Sequence, residues 1–146
     1  MIDKKFEQIE SDAMRRIIIE DSTISEVLEK QYKSAKVISR EFSGFGFFTN
    51  FEITDKSLKL TERQNFELGN VQLKLEGLKS GAGFVLFIRD GLIKTLECYT
   101  YDEPWPASIN SYLMTDDVSE KKTVVLGPEY DDLLRTTLRN VIKRMK

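Results

Sequence analysis

Apolar positions recur every three to four residues from Asp3 to about Glu20, where Phe6, Ile9, Ala13, Met14, Ile17 and Ile18 fall on one side of a helix and Asp3 is placed to cap it. Thr23, followed three residues later by Glu26, has the form of a capping box, and Ile24, Val27, Leu28 and Tyr32 give the stripe of a second, shorter helix. From Val37 the period shortens toward two. Phe45, Phe47, Phe51 and Ile53 alternate with small or polar residues around Gly44 and Gly46, which predicts strand, glycine-rich bend, strand. Val71, Leu73 and Leu75 alternate with Gln72, Lys74 and Glu76, a strand with one wet face. The charged stretch between them, Asp55 to Gly69, predicts a loop or an edge hairpin.

Phe84 to Ile88 is continuously apolar, so this strand belongs at the centre of the sheet or under cover on both faces. Asp90-Gly91 then predicts a two-residue type I′ turn, since both central positions need a positive φ that Asp tolerates and Gly adopts freely. Counting outward from that turn pairs Ile88 with Ile93, Leu86 with Thr95 and Phe84 with Glu97. Pro104 and Pro106 fix two φ angles around Trp105 and end the strand. Ala107 to Lys122, polar and rich in Ser, Asn and Asp, predicts a surface loop before a short strand at Thr123 to Leu126. After Gly127-Pro128, Leu133, Leu134, Leu138, Val141 and Ile142 repeat at helical spacing, with acids early and Arg139, Lys143, Arg144 and Lys146 late, as the dipole of a terminal helix favours. The fold class expected is α+β: one domain over residues 1–146, an antiparallel sheet with two N-terminal helices and one C-terminal helix packed on it.

A chain of 146 residues can bury one sizeable core, and 40% hydrophobic with 32% charged residues is ordinary globular composition. A net charge of -2 gives no overall pull toward phosphate backbones or anionic lipid, so nucleic acid and membrane are not expected partners. No apolar run is long enough to span a bilayer, the first residues lack a signal-peptide core, and the lone Cys98 matches a reducing compartment; the expected location is the cytoplasm. Histidine is absent, which excludes Ser-His-Asp and Cys-His catalysis and His-ligated zinc. No cofactor, metal or catalytic residue is expected.

Glu97, Asp102 and Glu103 lie close together at the end of a core strand. Paired carboxylates serve acid–base catalysis or divalent metals, whereas the plainer reading has Glu97 accepting from a neighbouring turn and the other two solvated or capping the strand exit. Cys98 shares a face with Leu96 and reads as apolar packing. Phe42, Phe45, Phe47, Phe48 and Phe51 either fill the core or line a ligand cavity. Gly44-Phe45-Gly46 and Gly81-Ala82-Gly83 lack the helix and lysine of a phosphate loop and read as turns or bulges. Trp105, stiffened by its prolines and rimmed by Asp102 and Glu103, is either an interface anchor or an indole folded back over the sheet end.

Phe42 to Thr49 and Gly83 to Ile88, with Gly91, Leu96, Glu97, Tyr99 to Glu103, Trp105 and Pro106, resemble a family of small bacterial proteins similar to immunity proteins of contact-dependent inhibition and related polymorphic toxin systems. The resemblance covers about half the chain. It implies a non-enzymatic protein that binds a cognate toxin and blocks its active site. Many such toxins are basic nucleases, which an acidic surface would steer and oppose. The acids available here are Asp102, Glu103, Asp116, Asp117 and Glu120, with Trp105 as anchor. The competing expectation is a small-ligand-binding domain or carboxylate-based enzyme with a cavity lined by Phe45, Phe47 and Phe51 and with Glu97 and Tyr99 at its mouth.

Overall fold

The computed structural model describes residues 4–116 and the backbone of residues 123–125. Helices α1 (Lys4–Ile18) and α2 (Ser25–Ser34) precede strands β1 (Lys36–Phe42), β2 (Gly46–Glu52), β3 (Phe66–Leu68), β4 (Val71–Leu75), β5 (Ala82–Arg89), β6 (Leu92–Thr100), β7 (Tyr112–Asp116) and β8 (Thr123–Val125). The strands form one antiparallel sheet in the order β1-β2-β6-β5-β4-β7-β8, with β3 also paired to β5. This is the expected α+β architecture with its two leading helices. The expected C-terminal helix lies outside the described residues. Among the described residues no helix is long and apolar enough to cross a membrane.

Both helices lie on one face of the sheet. Phe6, Ile9, Ala13, Met14 and Ile17 of α1 are buried with Phe47, Leu73, Phe84, Leu86, Ile93 and Leu96 in a continuous core, each such burial stabilising the fold by roughly 1.5–3 kcal/mol. Polar residues of α1 buried in the same layer are paired. Glu10 accepts from Arg40 Nε (3.0 Å) and Nη2 (2.8 Å) and from the Thr49 hydroxyl (2.5 Å). Arg16 donates to Asp12 (2.8 Å) and to Asp116 (2.6 Å), tying α1 to β7. The Tyr112 phenol beside this pair is pushed up to about 12 by burial and by the Asp12 carboxylate.

Gln31 of α2, fully buried, holds the β5–β6 hairpin. Its Nε2 donates to the carbonyls of Leu58 (2.8 Å) and Gly91 (3.0 Å), and its Oε1 accepts from the Ile93 amide (2.8 Å). Asp90 and Gly91 sit at φ 54° and 75°, the left-handed pair that the turn requires.

Several expectations need correction. The α2 N-cap is Ile24, without a side-chain cap; the Asp21 carboxylate instead accepts from the Thr23 amide (3.0 Å) and hydroxyl (2.6 Å), so Thr23 is engaged before the helix begins. In the hairpin Ile88 does face Ile93, but the register then shifts between Phe87 and Ile88, pairing Leu86 with Leu96, Val85 with Glu97 and Phe84 with Cys98. The extra residue on β6 is Lys94, which lets Ile93 and Leu96, three apart, both face the core. Ala107 to Lys122 is not a loop throughout: Tyr112–Asp116 forms β7, paired to β4, with Tyr112 and Met114 in the core. Within Asp55 to Gly69, a 3₁₀ turn at Lys56–Leu58 and the short strand β3 replace the loop or hairpin.

Candidate functional site

Strand alternation places Glu41 of β1, Phe48 and Asn50 of β2, Thr95, Glu97 and Tyr99 of β6, and Gly83, Val85 and Phe87 of β5 on the face opposite the helices. Among the described residues no helix covers this face. Its β2–β6–β5 portion is half-buried, while toward β7 Leu113 is only 3% exposed.

Glu97 stands at the middle of that portion, directly opposite Phe48 on one side and Val85 on the other. Desolvation by these neighbours holds its carboxyl above the usual carboxylate range. Among the described residues nothing donates a hydrogen bond or an ion pair to it. One step along β6, Tyr99 meets Tyr101 edge-on at 5.7 Å, and the Tyr101 hydroxyl donates to Gln72 Oε1 at 2.9 Å. Gly83 makes room for both rings, because a Cβ there would lie 2.6 Å from the Tyr99 hydroxyl oxygen and 3.0 Å from that of Tyr101.

Of the residues expected to form an acidic docking surface, Asp102, Glu103, Trp105 and Asp116 are described. Asp102 is exposed, at φ 62° in the turn after β6. Glu103 spans the β4–β5 turn, accepting from the amides of Lys79 and Ser80 at 2.8 Å each, bonds that hold its carboxyl below the usual range. The bond to a turn foreseen for Glu97 is thus made by Glu103. Asp116 is no free surface acid: its side chain is buried in the ion pair with Arg16. Asp117 and Glu120 lie outside the described residues. Trp105 is half-buried, its ring edge-on to Phe47 at 5.6 Å and its amide donating to the Gly44 carbonyl at 2.7 Å, so the indole closes the sheet end over the core.

Among the described residues Phe45, Phe47 and Phe51 do not gather around one cavity. Phe47 and Phe51 fill the core, Phe42 and Phe45 are 50% and 56% exposed at the β1–β2 hairpin, and Phe48 lies on the opposite face with Glu97 and Tyr99. Cys98 is buried, and burial with the neighbouring Glu97 charge pushes its thiol well up, keeping it protonated. A surface groove of about 340 Å³ beside the β5–β6 turn is lined by Phe51 with Glu52, Lys56, Arg89, Asp90 and Lys94; Lys56, Arg89 and Asp90 bond to the Ile53 carbonyl, Glu67 and Lys59 respectively. Among the described residues no group of His, Cys, Asp and Glu side chains gathers to hold a metal. Sequence reasoning named Phe48 only among the candidate cavity aromatics and missed its pairing with Glu97, because the face of Glu97 depended on the Lys94 bulge; the signal available was the three-residue spacing of Ile93 and Leu96. No family model, curated protein or solved structure matches the chain.

Proposed function

We propose that this chain is a non-enzymatic protein-binding module acting in the cytoplasm, an immunity-type inhibitor that binds a cognate bacterial toxin and blocks it by occlusion. The observation that carries the reading is Glu97 on the sheet face that neither α1 nor α2 covers, a half-buried carboxylate between Phe48 and Val85 with no cation of its own among the described residues. Holding a charge on an apolar row disfavours the isolated fold, and the cost is recovered when a partner supplies the opposite charge. Around it, Tyr99 and the 40% exposed Tyr101 add aromatic surface, which interface centres favour. The anchor role passes from Trp105 to Phe48 and the two tyrosines. The resemblance to immunity proteins of polymorphic toxin systems supplies the class of partner.

The test is co-expression with candidate toxins from the same source. The reading expects survival of the cells and a stoichiometric complex. Unrelieved toxicity, with both proteins expressed and folded, contradicts it.

A further inference from the structure

The geometry points to a binding position for one arginine side chain of a protein partner, laid on the Phe48 ring between the carboxylates of Glu41 and Glu97. This deepens the protein-binding reading and rests on it.

Three adjacent strands build the position. Glu41 of β1 is the cross-strand partner of Phe48 of β2, and Phe48 is the partner of Glu97 of β6. The result is one row of carboxylate, ring and carboxylate. The outer strands stand about 10 Å apart with the Phe48 ring between them, a spacing suited to a flat cation over the ring, and among the described residues no third carboxylate, Cys or His joins the two to hold a metal. The negative charge rejects anions.

The same chain fills two comparable arrangements internally. Glu67 and Phe87 are cross-strand partners on this same face, and Arg89 lies over the Phe87 ring at 5.2 Å while bonding Glu67 at 2.9 Å. Under α1, Arg40 lies 5.7 Å from the Phe6 ring centroid and bonds Glu10 at 2.8 Å. Each of these phenylalanine–glutamate pairs holds its own guanidinium. The Phe48 row has two carboxylates, and among the described residues neither is in an ion pair. Arginine fits better than lysine because the guanidinium is planar, weakly hydrated and offers donors along its edge, so it stacks on a ring while bonding a carboxylate beside it. Glu97 is already desolvated by its neighbours, which strengthens its attraction for an incoming cation.

The test uses the full chain and two extended peptide amides, acetyl-Thr-Val-Arg-Val-Thr-amide and the same peptide with citrulline, which keeps the shape and removes the charge. Binding is followed by NMR through the Phe48 ring and the Glu97 carboxyl resonances. The arginine peptide is expected to shift both and to bind about tenfold more tightly than the citrulline peptide. Glu97→Gln should reduce that difference and Glu97→Gln with Glu41→Gln should erase it, while Glu76→Gln, at an exposed acid outside the row, should leave it intact. Equal binding of the two peptides, or shifts confined to other surfaces, overturns the assignment. Sedimentation of the protein alone addresses a second copy as occupant: a dimer dissolved by Glu97→Gln would also overturn it. Failure here and failure of the wider reading are distinguishable. A toxin bound undiminished by Glu97→Gln and Phe48→Leu removes the arginine position and keeps the inhibitor; peptide discrimination without any neutralised toxin does the reverse.

Discussion

Phe48 and Glu97 stand directly opposite each other on β2 and β6, on the face of the sheet that neither α1 nor α2 covers. An aromatic ring and a carboxylate in that relation shield each other from water without forming a bond, and the carboxylate bears the cost. The same residue therefore weakens the free protein and marks where a cationic partner would bind.

Replacing Glu97 by Gln is accordingly expected to stabilise the free protein at pH 7. Burial raises the Glu97 pKa in the folded state, so between the unfolded value, about 4.3, and the raised folded value the folded chain holds more protons and stability falls as pH rises. The gain from Glu97→Gln should be full above that window and its pH-dependent part should vanish below it. Urea midpoints of both proteins at matched pH values measure this; a gain independent of pH would refute the desolvation account.

Gln31→Leu leaves the Ile93 amide and the carbonyls of Leu58 and Gly91 without their side-chain partner in the interior. The expected loss is about 3 kcal/mol, from unsatisfied buried polar groups. Faster hydrogen exchange at Ile93 should accompany it, and a loss spread evenly over the sheet would place the effect elsewhere.

Trp105→Ala should act on stability. The indole packs edge-on against Phe47 at the sheet end, and its truncation should cost about 2 kcal/mol, less than for a fully buried tryptophan. Partner affinity measured under conditions where the variant is fully folded should change little. A large affinity loss with unchanged unfolding would restore Trp105 as an anchor.

Glu103→Ala removes the carboxylate that accepts from the Lys79 and Ser80 amides. Because these bonds lower its pKa in the folded state, the stability it contributes is present above the unfolded carboxylate value and is lost as pH falls through the depressed folded one. Exchange at Lys79 and Ser80 should rise in the variant at neutral pH, and the contrast with the parent should shrink in acid.

Local chemistry made much of this fold legible. The spacing of Phe6 to Ile18 gave α1, the alternation of Val71, Leu73 and Leu75 gave β4, and Asp90-Gly91 gave the turn, each because a short-range period or φ requirement is written in adjacent residues. The register beyond that turn was lost to a single bulged residue, Lys94, since shifting a strand by one exchanges its faces. Strand β7 was hidden because Tyr112 to Met114 is a three-residue apolar run inside a polar stretch, buried only once β4 lies beside it. The polar contacts that orient the elements, Gln31 on the hairpin, Glu10 on Arg40 and Glu103 on the β4–β5 turn, join residues 23 or more positions apart and leave no local pattern. The candidate site shared that fate: Glu97 drew attention by sequence, while its partner Phe48 emerged only from strand pairing.

The most direct test of the central claim is the affinity of the purified protein for candidate toxins from its own source, compared with Glu97→Lys, whose folding is verified by circular dichroism and unfolding midpoint. The account predicts a one-to-one complex that protects cells, weakened about a hundredfold or more by the charge reversal as like charges meet at the interface. Undiminished binding and protection by Glu97→Lys would show that the open face of the sheet is not where this protein meets its partner.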